Sequence, residues 1–217
     1  MNVNGDGSLT NPSKNLYFEG CVIRNACRLE NAENVCFTKC IFNSKIGNSV
    51  GNLFENNVFM CYLNSGEYLF NKSSNDNQAG GNMIRNNVIV TRGSYSNEYN
   101  ISNTSGNNYY NNIFSVTGSY VSLGSNYVTS GNYYSVARDS IFVNQTGENF
   151  NYSHDYHLQK PEVYLGTDDT QVGLYGSMFP YKEGGIPSNP HFQEENIAPT
   201  SSGGQLNVQI KAAAQDY

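Results

Sequence analysis

The chain has 217 residues, a formal net charge of −6 and only 14% charged residues, with 38% hydrophobic and 13% aromatic ones. The length suits one domain or one domain with a small appendage. So polar a chain borders on disorder, but disordered chains lack aromatic and β-branched clusters, and this one has 17 Tyr and 11 Phe set in short apolar runs. Its 12 Lys and Arg are scattered, which argues against a nucleic-acid partner, because phosphate binding relies on clustered cations. No apolar run is long enough to span a bilayer, and no basic stretch followed by an apolar segment marks a signal peptide.

Residues 1–14 are rich in turn formers, among them Asn4-Gly5-Asp6-Gly7 and Asn11-Pro12. They are expected to cap the first coil of a repeat region. There a phrase recurs. It reads Gly51-Asn52-Leu53-Phe54-Glu55-Asn56-Asn57-Val58-Phe59, then Gly81-Asn82-Met83-Ile84-Arg85-Asn86-Asn87-Val88-Ile89, then Gly106-Asn107-Asn108-Tyr109-Tyr110-Asn111-Asn112-Ile113-Phe114. Recurrence at 30 and 25 residues is the mark of a solenoid. Two diverged copies precede it, around Phe18 and Phe37, and a weaker one is expected to start at Gly131-Asn132.

Aligned, the copies give columns. One reads Phe18, Phe37, Phe54, Ile84, Tyr109; another Val22, Ile41, Val58, Val88, Ile113; the next Ile23, Phe42, Phe59, Ile89, Phe114. A fourth reads Cys21, Cys40, Asn57, Asn87, Asn112. In a β-solenoid each coil lies about 4.8 Å above the last, so like stacks on like. The fourth column is read as a corner and a structural ladder. Asn tolerates the left-handed conformation, and stacked amides bond from coil to coil. Which of the two apolar columns after it points inward is left open, because the corner interrupts simple alternation.

The stretch between Cys61 and Gly80 and the polar stretches at 93–105 and 117–131 read as insertions of unequal length, which in solenoids cluster on one face, often the binding face. Residues 139–179 change character: Asp139-Ser140-Ile141-Phe142-Val143-Asn144 is followed by Asp155-Tyr156-His157-Leu158-Gln159, then by Asp169 to Gly176. Together with the repeats, this order resembles right-handed parallel β-helix repeat proteins, the pectate-lyase-like superfamily. The last segment departs by one extra residue between Asp169 and Gly173.

The expected fold is therefore all-β: a right-handed, single-stranded parallel β-helix over residues 1–179, with a C-terminal extension over 180–217. The extension holds Pro180, Gly184-Gly185, Pro187, Pro190 and Pro199, and ends in the alternating run Leu206–Ala212, which reads as a strand. That strand is expected to cap the open end of the solenoid, which would otherwise invite aggregation.

The resemblance implies a secreted or surface protein. Many members cleave acidic polysaccharides, which takes carboxylates holding a cation and an Arg or Lys base. The candidates are Glu55, Glu67, Asp76, Arg85, Arg92 and Arg138. Glu55 and Arg85 share a column, which a surface ion pair explains better than a catalytic role. The paired Asp and Gly-His-Gly phrases of related glycosidases do not occur. Asp168-Asp169 reads as a turn, and His157 as a packed or hydrogen-bonded group. No phosphate loop or zinc spacing is present, so no cofactor is expected; a calcium ion is compatible with the chain but not indicated. The five Cys, at 21, 27, 36, 40 and 61, read as buried thiols, with a Cys21–Cys40 disulfide as the other reading.

The variable segments also carry Tyr62, Tyr68, Tyr95, Tyr99, Tyr110, Tyr120 and Tyr127. Tyr beside Asn suits sugars, since rings stack on C–H faces and amides bond to hydroxyls. Tyr68, Tyr95, Tyr99 and Tyr120 are the candidates for this. Covering the rim of a β surface is the competing reading. The functional expectation is a polysaccharide- or glycan-binding or adhesive scaffold without identified catalysis. A polysaccharide lyase or glycosidase, and a fibre or assembly unit, are the alternatives.

Overall fold

The repeated phrase lays down the architecture directly. The computed structural model describes residues 13–30, 32–72, 79–183 and 190–213. Parallel strands stack into a β-solenoid of about five turns with three sheets. The first sheet holds Val22–Ile23, Ile41–Phe42, Val58–Leu63, Val88–Gly93 and Ile113–Phe114. The second holds Cys27–Arg28, Ile46–Gly47, Phe70–Asn71, Asn100–Ser105 and Ser122–Ser125. The third holds Tyr17–Glu19, Cys36–Thr38, Leu53–Glu55, Met83–Arg85, Asn108–Tyr110 and Val128–Ser130.

The columns read from the sequence are the register of these sheets. Phe18, Phe37, Phe54, Ile84 and Tyr109 pair in succession across the third sheet. Val22, Ile41, Val58, Val88 and Ile113 do so across the first, each followed by its neighbour from Ile23 to Phe114. The phenylalanines stack face to face from coil to coil: Phe37 on Phe54 at 5.5 Å and Phe42 on Phe59 at 4.8 Å between centroids. Such pairs add about 0.5–1.5 kcal/mol each beyond burial.

The open question of direction is settled by the core. Ile23, Phe42, Phe59, Ile89 and Phe114 point inward, into the apolar cluster with Phe37 and Phe54. The β-branched column faces outward, yet Val58, Val88 and Ile113 are fully buried. Residues 164–176 cover them. Gly173 sits against Val88, where an added Cβ would lie 3.0 Å from the valine Cγ2. Its own φ of +83° further excludes other side chains.

The Asn-Asn corner divides between two residues the tasks that the column pattern assigned to one. The first Asn bends the chain: Asn56, Asn86 and Asn111 have φ of 55°, 57° and 51°. The second Asn turns inward and forms the ladder. Asn57 N–H and Nδ2 both donate to Asn87 Oδ1, at 2.8 and 3.0 Å, while Asn57 Nδ2 also donates to Phe37 O at 2.9 Å. Asn87 repeats this on Asn112 and Phe54 O, and Asn112 on Asn132 and Ile84 O.

The Gly-Asn at the head of the phrase is built the same way. Gly51, Gly81 and Gly106 take φ of 62–73°, and Asn52, Asn82 and Asn107 form a second ladder through Asn52 N to Asn82 Oδ1 and Asn82 N to Asn107 Oδ1, both 3.0 Å. This shared construction explains one misplacement. Gly131-Asn132 does not begin a copy. It closes the Asn-Asn corner, because Ser130 pairs with Tyr110 and Asn132 ends that ladder.

The polar stretches 93–105 and 117–131 are likewise not only insertions. They contain the strands Asn100–Ser105, Ser122–Ser125 and Val128–Ser130. Ser102 and Thr104 are buried there, and Asn107 Nδ2 donates to both hydroxyls, at 3.2 and 2.7 Å. A polar core satisfied by an amide leaves no apolar pattern to read.

After the last coil, Phe142–Asn144 pairs antiparallel with Asp155–Leu158. The chain divides into two units, Met1–Pro180 and Tyr181–Tyr217. In the second, His191–Ile197 and Val208–Ala213 form an antiparallel pair. Its register gathers Phe192, Ile197, Val208, Ile210 and Ala212 on one face.

Candidate functional site

The three sheets end differently at their outer faces. The first is covered by residues 164–176, whose backbone is tied to the left-handed asparagines. Gly173 N donates to Asn86 O at 2.8 Å, Thr167 N to Asn86 Oδ1 at 2.9 Å, and Asn111 Nδ2 to Leu165 O at 3.0 Å. On the third, Glu55 and Arg85 stand in paired register with Arg85 Nε 2.7 Å from Glu55 Oε1, the cross-coil ion pair expected of that column. Among the described residues the second sheet is left open and polar, and it carries the candidate site.

Its strands place Cys27, Ile46, Phe70, Ser102 and Leu123 inward. Alternation then turns Arg28, Gly47, Asn71 and Asn103 outward. Asn103 Nδ2 donates to Asn71 Oδ1 at 3.0 Å, and Lys72 N to Asn103 Oδ1 at 2.8 Å. This outer amide pair fixes which atoms face solvent.

The corner leading into the same sheet supplies the aromatics. A 3₁₀ turn, Ser94–Tyr99, delivers Tyr99 to within 5.6 Å of the Tyr120 ring, at an interplanar angle of 50°. Tyr99 is half-buried against the core, while Tyr120 is 67% exposed. Tyr68 is half-buried at the equivalent bend one coil earlier, where Leu69 N donates to Asn100 O. Asn100 Nδ2 reaches Glu67 O at 3.2 Å and Asn97 Oδ1 at 3.4 Å, which holds the corner between those coils.

Most of the charges on this face and at its corner with the first sheet are paired. Glu67 and the Lys45 ammonium form a close ion pair, and Asn64 N donates to the other carboxylate oxygen at 2.9 Å. Partial burial raises the Glu67 pKa, but the Lys45 and Asn64 hydrogen bonds outweigh it and hold the carboxyl below its ordinary value. Arg138 Nη2 lies 3.2 Å from Glu98 Oε2 and donates to Thr91 O at 2.8 Å. Arg92 lies 4.0 Å from Glu148, beside Met60 and Val90 on the first sheet.

The structure therefore separates the carboxylate and arginine candidates. Glu55 and Arg85 stand together on one sheet, Arg92 on another, and Glu67 and Arg138 in separate pairs. Asp76 lies outside the described residues. Of the tyrosines, Tyr99 and Tyr120 are brought together and Tyr68 lies one coil away; Tyr95 falls in the 3₁₀ turn. The ladder column holds as a unit from Cys40, whose N–H donates to Asn57 Oδ1, through Asn57, Asn87 and Asn112. Cys21 precedes it, with its carbonyl accepting from Ile41 N. All five cysteines are free thiols.

Sequence reasoning missed Asn71, Asn97, Asn100 and Asn103. The spacing between Asn71 and Asn103 differs from every spacing of the clear phrase, so no alignment of copies brings them together. In the closing segment, Asp168 Oδ1 accepts from Thr170 N and Oγ1, which makes it a turn residue. His157 lies flat on Tyr175 and its Nδ1 is 2.6 Å from Asp155 Oδ1. Among the described residues no cluster of three or more His, Cys, Asp or Glu is placed to hold a metal ion, and no helix is long and apolar enough to cross a membrane.

No family model matches the chain, and comparison with curated proteins and with solved structures finds no match either.

Proposed function

We propose that this chain is a carbohydrate-binding scaffold, a member of the right-handed, pectate-lyase-like kind of β-helix working outside the cell or at its surface. The observations that carry the reading are the Tyr99–Tyr120 pair at the corner leading into the second sheet and the outward Asn71–Asn103 amide pair on that sheet. A sugar ring stacks on an exposed aromatic, and amides in fixed orientation meet its hydroxyls as donors and acceptors. The half-burial of Tyr99 and the tie from Asn100 to Glu67 and Asn97 fix the platform before a ligand arrives, which lowers the ordering cost of binding.

A polysaccharide lyase is less well supported. It needs an Arg or Lys side chain that can give up its own proton and then act as the base, whereas Arg85, Arg92 and Arg138 each face a glutamate that favours the charged form. A glycan array followed by titration calorimetry tests the binding reading. Tyr120→Ala is expected to weaken binding about tenfold, the equivalent of ~1.4 kcal/mol. Absence of binding to every glycan, acidic and neutral, would overturn it.

A further inference from the structure

We infer that the open face selects neutral polysaccharide chains over acidic ones; the inference rests on the glycan-binding reading and adds the class of glycan. It comes from where the charges of this face are spent. An acidic glycan presents a carboxylate or sulfate on successive residues, and its recognition takes cations that are desolvated and unpaired before it binds. Lys45 is committed to Glu67, and at the corner with the first sheet Arg138 is committed to Glu98 and the Thr91 carbonyl. At the far end of the sheet, Arg28 lies 3.9 Å from Glu30. Engaging a polyanion would break these pairs and leave their glutamates facing it.

Lys72 is the one cation on this face with no carboxylate partner among the described residues, and it is exposed. A single solvated ammonium changes affinity by a few-fold at most and is screened by salt. That is too little to overcome the repulsion between a polyanion and a chain of net charge −6. The groups left to recognise a ligand are uncharged: the rings of Tyr99 and Tyr120 and the amides of Asn71, Asn97 and Asn103. They match hydroxyls and C–H faces, the chemistry of a neutral sugar.

The test is calorimetric titration of the full chain with a soluble neutral glucan, a neutral galactan, a neutral xylan and polygalacturonate, each at low and high salt. Binding to at least one neutral polymer is expected, insensitive to salt, weakened about tenfold by Tyr120→Ala and unchanged by Lys72→Ala, with no binding to polygalacturonate. Circular dichroism of the Tyr120→Ala chain establishes that it folds. Tighter binding to polygalacturonate, falling steeply with salt, overturns this inference and leaves the glycan-binding reading standing. Neutral binding that Tyr120→Ala does not affect places the site elsewhere and overturns it as well. Binding to none of the four polymers removes the inference, and a negative glycan array removes the broader reading with it.

Discussion

The first two coils and the later ones share a backbone but finish their inward corners differently. After the first bend the early coils place Leu16 and Val35, and after the second Cys21 and Cys40. At the same positions the later coils place Asn52, Asn82 and Asn107, then Asn57, Asn87, Asn112 and Asn132. In the middle of the ladder, at Asn87, an amide fills four bonds. A thiol imitates one of them: Cys40 Sγ donates to Phe18 O at 3.5 Å, where Asn57 Nδ2 donates to Phe37 O at 2.9 Å. The corner requires a left-handed residue and a filled slot. The ladder is an addition that the later coils make to it.

The largest effect that tests this contrast is expected from the middle of the ladder. Asn87→Ala removes the acceptor of Asn57 N–H and Nδ2 and the donor to Phe54 O, all in fully buried surroundings. Each buried polar group left without a partner costs ~1–3 kcal/mol, so a loss of about 3–5 kcal/mol is expected in urea unfolding. Cys40→Ala removes a weak donor and a small apolar group, for about 1 kcal/mol. Equal losses from the two substitutions would mean that the ladder contributes no more than filler.

That division of labour sets how much of the molecule was legible beforehand. The columns from Phe18 to Tyr109 and from Val22 to Phe114 were readable because stacked coils repeat the same contact, and the structure keeps their register residue for residue. The left-handed position slipped by one, since Asn56-Asn57 offers two identical side chains and only the backbone tells them apart. Gly131-Asn132 was placed at the wrong corner because both corners use a left-handed residue followed by Asn. The site was half legible: Tyr99 and Tyr120 stood out by type, whereas Asn71 and Asn103 meet only through three-dimensional register.

A smaller effect is expected at the left-handed position itself. Later coils use Asn56, Asn86 and Asn111; the second coil uses Lys39, at φ 52°. A long L side chain there costs ~1–2 kcal/mol, which Asn reduces. Lys39 is also buried, with its ammonium 2.6 Å from Glu19 Oε1, a carboxylate that is itself half-exposed and so contributes at most ~1 kcal/mol to the pair. Lys39→Asn is therefore expected to raise stability by up to ~1 kcal/mol, seen as a higher midpoint in thermal unfolding. A lower midpoint would show that the Glu19 pair outweighs the backbone relief and that the second coil is a distinct solution rather than an imperfect copy.

The smallest effect separates the two kinds of corner by pH. An amide does not titrate in this range, but a buried thiol does. Burial pushes the Cys40 thiol up to about 12, against the lesser opposing pull of a hydrogen bond from the Cys21 backbone. Burial likewise pushes Cys61 to about 12 and Cys27 to about 11. A pKa raised on folding means that the folded state holds its proton longer. The stabilisation is fully present below the unfolded thiol value and is lost as pH rises from there toward 11–12. Near pH 9 about three quarters of the unfolded thiols ionise while the folded ones do not, so each thiol costs roughly 0.8 kcal/mol relative to pH 7. Urea midpoints at the two pH values are expected to fall less in the Cys40→Ala chain than in the parent, while Asn87→Ala leaves the difference between them unchanged. In the folded parent at pH 9, iodoacetamide is expected to reach the half-buried Cys21 and Cys36 ahead of Cys27, Cys40 and Cys61. Early labelling of Cys40 would mean that the second-coil corner opens in the folded state, which the amide-bonded corners above it do not.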